Sequence, residues 1–140
     1  MSKRKWMALG GVAVLIMAVS QIMANEKPTA ALQDAMKSNG ATIQKLGKDV
    51  DAKNFDAIAD DAATFKKNFG GSVGGYFTTM KMDDALSKCK AAYGAANDLE
   101  KAAKAKDETA VADARKALGG ACGSCHMAHR EKVSDGFEIK

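Results

Sequence analysis

The sequence predicts an all-α protein that folds as an antiparallel four-helix bundle. The 140 residues include one proline, 6% aromatic residues and 46% hydrophobic residues, a composition that favours helices over a β-sandwich or a barrel. Apolar residues recur at spacings of three and four in four successive segments, and no segment alternates as a strand does. The connections are short, so consecutive helices are expected to run antiparallel.

Residues 1–24 have the features of an export signal. A cluster of three basic residues near the start precedes an uncharged, mostly apolar run over residues 6–24, which is the order found in secretory signal peptides. Small residues favour cleavage after Ser20 or Ala24, and an uncleaved membrane anchor is the alternative, because the run just reaches spanning length. We expect a single domain over residues 25–140 in the bacterial periplasm, with membrane association only if the segment is retained.

Cleavage after Ala24 also changes the charge of the protein. It removes three of the 21 basic residues and none of the 17 acidic ones, so the net charge falls from +4 to +1. A nearly neutral domain gives no electrostatic reason to expect nucleic-acid binding.

The first two helices follow from their apolar stripes. The first is predicted from about Thr29 to Val50, and the second from Asn54, a good N-cap residue, to about Phe69. The stripe residues are Leu32, Met36, Gly40, Ile43, Leu46 and Val50 in the first helix, and Phe55, Ile58, Ala62, Phe65 and Phe69 in the second.

A glycine-rich segment at residues 70–75 separates these helices from two more. No strand precedes it and no Gly-Lys-Ser/Thr follows, so a flexible connector is expected rather than a phosphate loop. The third helix is predicted from about Met82 to Lys104, and the fourth from about Asp107, a capping residue, to Val133. Their stripes comprise Met82, Leu86, Cys89, Tyr93, Ala96 and Ala103, and then Val111, Ala114, Leu118 and Cys122.

One short motif indicates the function of the chain: Cys122-Gly123-Ser124-Cys125-His126. Cys-x-x-Cys-His is the attachment signature of c-type haem. Cysteines three apart present both sulfurs to one side, where they can form thioethers with the two vinyl groups of one haem. His126 follows directly and can reach the iron as its proximal ligand. Export agrees with this interpretation, because bacteria attach c-type haem outside the cytoplasm.

Three other interpretations of the motif stay open. A thioredoxin-like redox pair would need a strand-to-helix context, which this helical region lacks. A structural disulfide between Cys122 and Cys125 leaves His126 unexplained. A zinc site formed by these three residues with His129 has suitable ligand types, but its spacing differs from the usual separated pairs.

The motif near the C-terminus, the four helices and the export signal together resemble the cytochrome c′ family, the class II c-type cytochromes. The resemblance implies one covalently attached haem near the C-terminal end of the fourth helix. In that family the motif continues with an aromatic residue and a basic one. Here His129 replaces the aromatic residue and Arg130 matches the basic position, which implies that Arg130 lies near the haem. Members often form homodimers through their first two helices, which leaves a homodimer open here.

Met36 is the candidate for the distal iron ligand. After His126 the only methionine is Met127, which is adjacent to the proximal ligand and cannot cross the ring, so a distal methionine must come from upstream. The resemblance aligns Met36 with the distal-face position of the family. Met80 and Met82, beside the glycine-rich segment, are weaker candidates.

The distal residue separates two functions. If Met36 binds the iron, His/Met ligation predicts a one-electron carrier that serves redox partner proteins, with little rearrangement on electron transfer. If Met36 only covers the distal face, a five-coordinate haem that binds NO or CO is expected. We expect no enzymatic activity in either case, because the sequence indicates no substrate pocket and offers no acid–base pair.

Two further residues complete the chemical inventory. Cys89 lies on the third helical stripe and is expected to be a buried thiol, with an intermolecular disulfide as the alternative. His129 falls one turn after Cys125 and is expected to pack beside the haem rather than to bind it.

Overall fold

The computed structural model describes residues 25–140, and most of them are helical. The predicted signal peptide lies outside the described residues. The helices are α1 (Ala30–Asp51), α2 (Phe55–Asn68), α3 (Gly74–Thr79), α4 (Asp83–Lys104) and α5 (Glu108–His129), with a π-helical turn at Phe69–Val73 between α2 and α3. Two short strands follow, β1 (Arg130–Val133) and β2 (Gly136–Ile139). The prediction of a predominantly α-helical protein is therefore confirmed.

The three helix starts that were read from the sequence have side-chain caps. The side chains of Thr29, Asn54 and Asp107 each accept a hydrogen bond from the backbone N–H three residues later. These oxygens satisfy donors that have no partner within the first turn. The helix ends are less typical, because the turns after α1, α3 and α4 each pass through a left-handed lysine where glycine is common. These residues are Lys53, Lys81 and Lys106, with φ of 53°, 54° and 53°.

The glycine-rich segment is helical, so its prediction as a flexible connector is wrong. Residues 69–79 are helical apart from a kink at Gly71 (φ −101°, ψ −108°), which separates α2 from α3. Phe69, Val73 and Phe77 are spaced four apart and are all buried. Burial of this apolar series outweighs the low helix propensity of the glycines between its members.

The expectation that no strand would form is also wrong, and the last helix ends at His129 rather than near Val133. Strands β1 and β2 pair antiparallel, with Arg130 opposite Ile139. Glu26 then joins the free edge of β2, where it exchanges two backbone hydrogen bonds with Ile139 (3.0 and 2.8 Å). The strands have only four residues each, and none of these residues is fully buried, so their sequence lacks the alternation that marks a half-buried strand.

Helix α4 packs most extensively against α5 and α2, and α1 packs against α2. The core between them contains Leu32, Leu46, Ile58, Phe65, Leu99 and Leu118, each at most 2% exposed. The Arg115 side chain of α5 reaches α1 at Gly47, where an added Cβ would lie 3.4 Å from the guanidinium. No helix within residues 25–140 combines the length and the apolar character that crossing a membrane requires.

Candidate functional site

A cavity of about 850 Å³ lies between the N-terminal part of α1 and the C-terminal part of α5. Its volume falls in the upper part of the range of about 300–1,000 Å³ that is typical of ligand sites. Much of its wall is aliphatic or aromatic, contributed mainly by α1, α2 and the segment that follows α2. These apolar lining residues are Leu32, Ile43, Phe65, Phe69, Val73 and Phe77.

The three motif residues predicted to hold haem all line this cavity. Cys122, Cys125 and His126 lie in the last two turns of α5, and each is partly buried. Both cysteines are free thiols, so the alternative of a disulfide between them is not formed here. Burial raises the pKa of both thiols above the usual range, which keeps them protonated at neutral pH. Two thiols and one imidazole thus share one wall of an apolar cavity.

The environment of His126 favours its neutral form. Burial is the main cause that lowers its pKa, and the positive charge of Arg130 lowers it further. A neutral imidazole has a free nitrogen lone pair and is the form that binds a metal. Arg130 also lines the cavity, and its guanidinium sits over the ring of Phe137, with the Cζ atom 3.3 Å from the ring centroid. A cation over an aromatic face is held by the ring quadrupole.

Met36 is the one methionine among residues 25–140 that lines the cavity. It lies on α1, and Gly40 and Ile43 of the same predicted stripe line the cavity with it. Part of the stripe that the sequence assigned to the core therefore faces the cavity. The weaker candidates, Met80 and Met82, lie near the start of α4 and do not line the cavity.

Two glycines of α5, Gly119 and Gly120, precede the motif. An added Cβ at either would meet nothing within 4 Å. Gly119 lines the cavity, so the space beside it belongs to the candidate site rather than to a packed neighbour.

His129 lines the same cavity as the motif residues, and its ring nitrogens contact groups outside the motif. Its Nε2 atom lies 2.7 Å from Asp84 Oδ2 on α4, and its Nδ1 atom lies 3.3 Å from the backbone oxygen of Lys140. Within residues 25–140, no three His, Cys, Asp or Glu side chains are grouped closely enough to hold a metal ion. The zinc site with Cys122, Cys125, His126 and His129 is thus not formed.

Cys89 is a buried thiol, as expected. It is 4% exposed on α4, and its Sγ atom donates a hydrogen bond to the backbone oxygen of Phe69 at 3.3 Å. Burial raises its pKa to about 11, with smaller contributions from Cys125 and Cys122. Cys89 lines the same cavity, so all three cysteines border one space.

Residues 25–28 and 130–139 form a cap over one end of the cavity. Lys27 and Pro28 line it from the first segment, and Arg130, Val133 and Asp135–Ile139 line it from the second. Side chains join the two segments as well: Asn25 Nδ2 donates to Glu131 Oε2 at 2.6 Å, and Lys27 Nζ lies 3.4 Å from Asp135 Oδ2. The cap therefore brings charged residues to this end of the cavity, namely Lys27, Arg130, Asp135 and Glu138.

Sequence reasoning missed the contribution of Asn39 and of the cap. Asn39 is 8% exposed and lines the cavity, although an apolar stripe drawn through α1 omits it. Its position three residues after Met36 was the only available signal.

No family model matches the chain, and no curated protein matches its sequence.

Proposed function

We propose that this chain is an exported c-type cytochrome that carries one electron, with haem held in the cavity by Cys122, Cys125, His126 and Met36. One observation carries the proposal: the Cys-x-x-Cys-His motif and the candidate methionine come from different helices, yet they line the same cavity. The apolar wall, the free thiols and the neutral imidazole suit a large hydrophobic macrocycle with a ligated iron.

The bound haem would supply an iron that changes oxidation state by one electron. The two thiols would each add across a vinyl double bond, with sulfur going to one carbon and hydrogen to the other, so attachment needs no oxidant. His126 would supply an imidazole nitrogen to the iron, and Met36 would supply a thioether sulfur. A thioether ligand favours the reduced iron and raises the reduction potential.

The arrangement also supports an antiparallel four-helix bundle of the cytochrome c′ type as the finer description of the fold. The bundle would consist of α1, α2, α4 and α5, with α3 as part of the connection between the second and third long helices. The contacts of α4 with α2 and α5, and of α1 with α2, agree with that order. We further propose a periplasmic location and redox partner proteins, on the basis of the export signal and the motif.

Two measurements test this function. A pyridine haemochrome assay on protein expressed with a c-type maturation system should detect haem that resists acid–acetone extraction, and Cys122→Ser/Cys125→Ser should abolish it. The proposal would be overturned if the wild-type protein, expressed with the maturation system, contained no covalently bound haem.

The distal ligand is tested by Met36→Ala. The wild-type protein should show a low-spin spectrum with a near-infrared sulfur-to-iron charge-transfer band, and Met36→Ala should lose that band and become high-spin. Met82→Ala is the matched control, because Met82 does not line the cavity and should leave the spectrum unchanged. A wild-type protein that is already high-spin and binds CO readily would favour the gas-binding function instead.

A further inference from the structure

The cap links the two helices that border the cavity. Helix α1 packs against α2 and helix α5 packs against α4, and the cavity lies between α1 and α5. One part of the cap, residues 25–28, precedes α1, and the other part, residues 130–139, follows α5. The two parts meet where Glu26 and Ile139 exchange their backbone hydrogen bonds. The cap therefore connects α1 to α5 across one end of the cavity.

The contacts within the cap hold it weakly. The side chains of the ion pair between Lys27 and Asp135 are 74% and 69% exposed, and exposed pairs of this kind contribute little to stability. A two-stranded hairpin is also only marginally stable in water without further packing. The position of the cap thus depends on what anchors its base.

His129 lies at the base of the cap and is bonded on two sides. Its backbone oxygen accepts a hydrogen bond from Lys140 N at 3.1 Å, which extends the pairing of β1 and β2 by one residue. Its ring, 15% exposed, contacts the Lys140 backbone oxygen through Nδ1 and Asp84 Oδ2 through Nε2. Both ring nitrogens face acceptors, so a ring with a proton on each nitrogen donates to both. One side chain therefore ties the end of the cap to the start of α4.

The acceptor on α4 is itself fixed in place. Both carboxylate oxygens of Asp84 lie 2.7 Å from Lys88 Nζ, one turn later on the same helix. The hydrogen bonds from Lys88 and His129 lower the pKa of Asp84, so the carboxylate is charged at neutral pH. Hydrogen bonds to a charged acceptor are stronger than those between neutral groups. The bond from His129 to Asp84 is thus a firmer attachment than the exposed pairs of the cap.

We propose that the His129 ring holds the cap closed over the cavity, and that the cap opens to admit haem when the bond between His129 and Asp84 breaks. This inference rests on the proposed function and assigns to it a positioning residue at the entrance of the site. Without that bond, residues 130–139 are free to move away from α1, and Glu26 separates from Ile139. Only hydrogen bonds break and form in this step.

Amide hydrogen exchange in the haem-free protein tests the anchor directly. The backbone N–H groups of Glu26, Ile139 and Lys140 report the closed cap, and buried amides of α4 and α5 are the internal reference. His129→Ala and Asp84→Ala remove the same bond from opposite sides. Each should speed exchange in the cap about fivefold, the factor expected for one hydrogen bond, and leave the reference amides unchanged.

Two further variants are the matched controls. Asp83→Ala removes a carboxylate from the same first turn of α4 and leaves the bond between His129 and Asp84 in place. Lys27→Met removes the exposed ion pair within the cap. Both should exchange at the wild-type rate. Asp84→Asn keeps an oxygen acceptor for His129 and should restore part of the protection that Asp84→Ala loses.

Stopped-flow binding of haemin to the haem-free protein tests the entrance. The rate should rise about fivefold in His129→Ala and Asp84→Ala, because it follows the population of the open cap, and Asp83→Ala should match the wild type. Equal cap exchange in the wild type and both anchor variants would overturn the role of His129, whatever the haem content. Faster cap exchange without faster haemin binding would overturn the entrance alone. Absence of covalent haem from the matured wild type would overturn the proposed function, while the exchange rates still decide whether His129 anchors the cap.

Discussion

The three cysteines differ in accessibility although they border the same cavity. Cys122 and Cys125 are partly exposed, whereas Cys89 is 4% exposed and its thiol hydrogen is bonded to the Phe69 oxygen. The thiolate is the nucleophile in alkylation, and burial holds the pKa of Cys89 at about 11. The same protein therefore presents two thiols that can be reached and one that is shielded.

Alkylation of the haem-free protein should reveal this difference. We expect iodoacetamide at pH 7.5 to modify Cys122 and Cys125 first, and Cys89 only when urea unfolds the chain. Peptide mass spectrometry over a time course measures the order. Equal rates at all three sites in native buffer would contradict the buried position of Cys89, and Cys89→Ser provides the control for assigning its peptide.

Asp61 is a carboxylate that depends on one lysine. It is 4% exposed on α2; its Oδ1 atom accepts a hydrogen bond from Lys45 Nζ of α1 at 2.9 Å, and its Oδ2 atom has no partner among the described residues. Burial raises the pKa of Asp61, while Lys45 opposes the shift. The pair joins the first two long helices. Asp61 Oδ2 is the atom that is buried without a hydrogen bond.

Lys45→Met should therefore lower the thermal midpoint of unfolding, because it leaves a buried carboxylate without its partner. Lys48→Met is the control, since Lys48 is an exposed lysine on the same helix. Adding Asp61→Asn to Lys45→Met should restore much of the lost stability by removing the buried charge. If the double variant is less stable than Lys45→Met, the carboxylate is stabilised by other groups. Differential scanning calorimetry measures all four proteins.

The segment Phe69–Val73 is helical although its glycine content predicts a connector. Four glycines in residues 70–75 predict a connector, yet Phe69, Val73 and Phe77 bury one continuous face there. The glycines also serve a close approach: a Cβ at Gly74 would lie 2.6 Å from the backbone oxygen of Phe69. That same oxygen accepts the hydrogen bond of Cys89, so the turn is coupled to α4.

Gly74→Ala should destabilise the protein by more than about 1 kcal/mol, because the backbone oxygen cannot move aside as a flexible side chain would. Gly75→Ala is the matched control in the same helix: an added Cβ there meets nothing within 4 Å, and alanine should stabilise by about 0.5–1 kcal/mol. Urea denaturation of both variants measures the difference. The close approach would be refuted if both substitutions stabilised the protein equally.

The helices were predictable where local signals and burial agree. Asn54 and Asp107 were read as caps and act as caps, and the α2 stripe of Ile58, Ala62, Phe65 and Phe69 is buried as expected. The α4 stripe is less regular, because Tyr93 is 40% exposed. Local spacing does not report which neighbour each face meets, and that tertiary arrangement decides burial.

The cavity itself could be predicted only in part. The motif identifies Cys122, Cys125 and His126 by local spacing, and Met36 was nominated from a family resemblance. The cap was not predictable, because its strands are short and Glu26 joins Ile139 across most of the described chain. Pairing at that sequence separation leaves no periodic signal in either segment.

At the scale of the whole molecule, Glu100 of α4 forms two ion pairs, one of which connects α4 to α2. Its carboxylate lies 2.6 Å from Lys66 Nζ on α2 and also pairs with Lys104 on its own helix. The two lysines hold the pKa of Glu100 at about 2, below its usual value of 4.5. A folded-state pKa below the unfolded value adds stability above pH 4.5, and that stability is lost as the pH falls from 4.5 towards 2.

Glu100→Gln should therefore lower the thermal midpoint at pH 7, and the gap from the wild type should close as the pH approaches 2. The reason is that protonation of the wild-type carboxylate removes the same ion pairs that the substitution removes. Glu108→Gln is the control, because the Glu108 side chain is 58% exposed in its pair with Lys53, and surface pairs of this kind contribute little. Calorimetric midpoints at pH 7, 4 and 2.5 measure the gap. A gap that stays constant over this range would show that Glu100 acts through packing rather than through its charge.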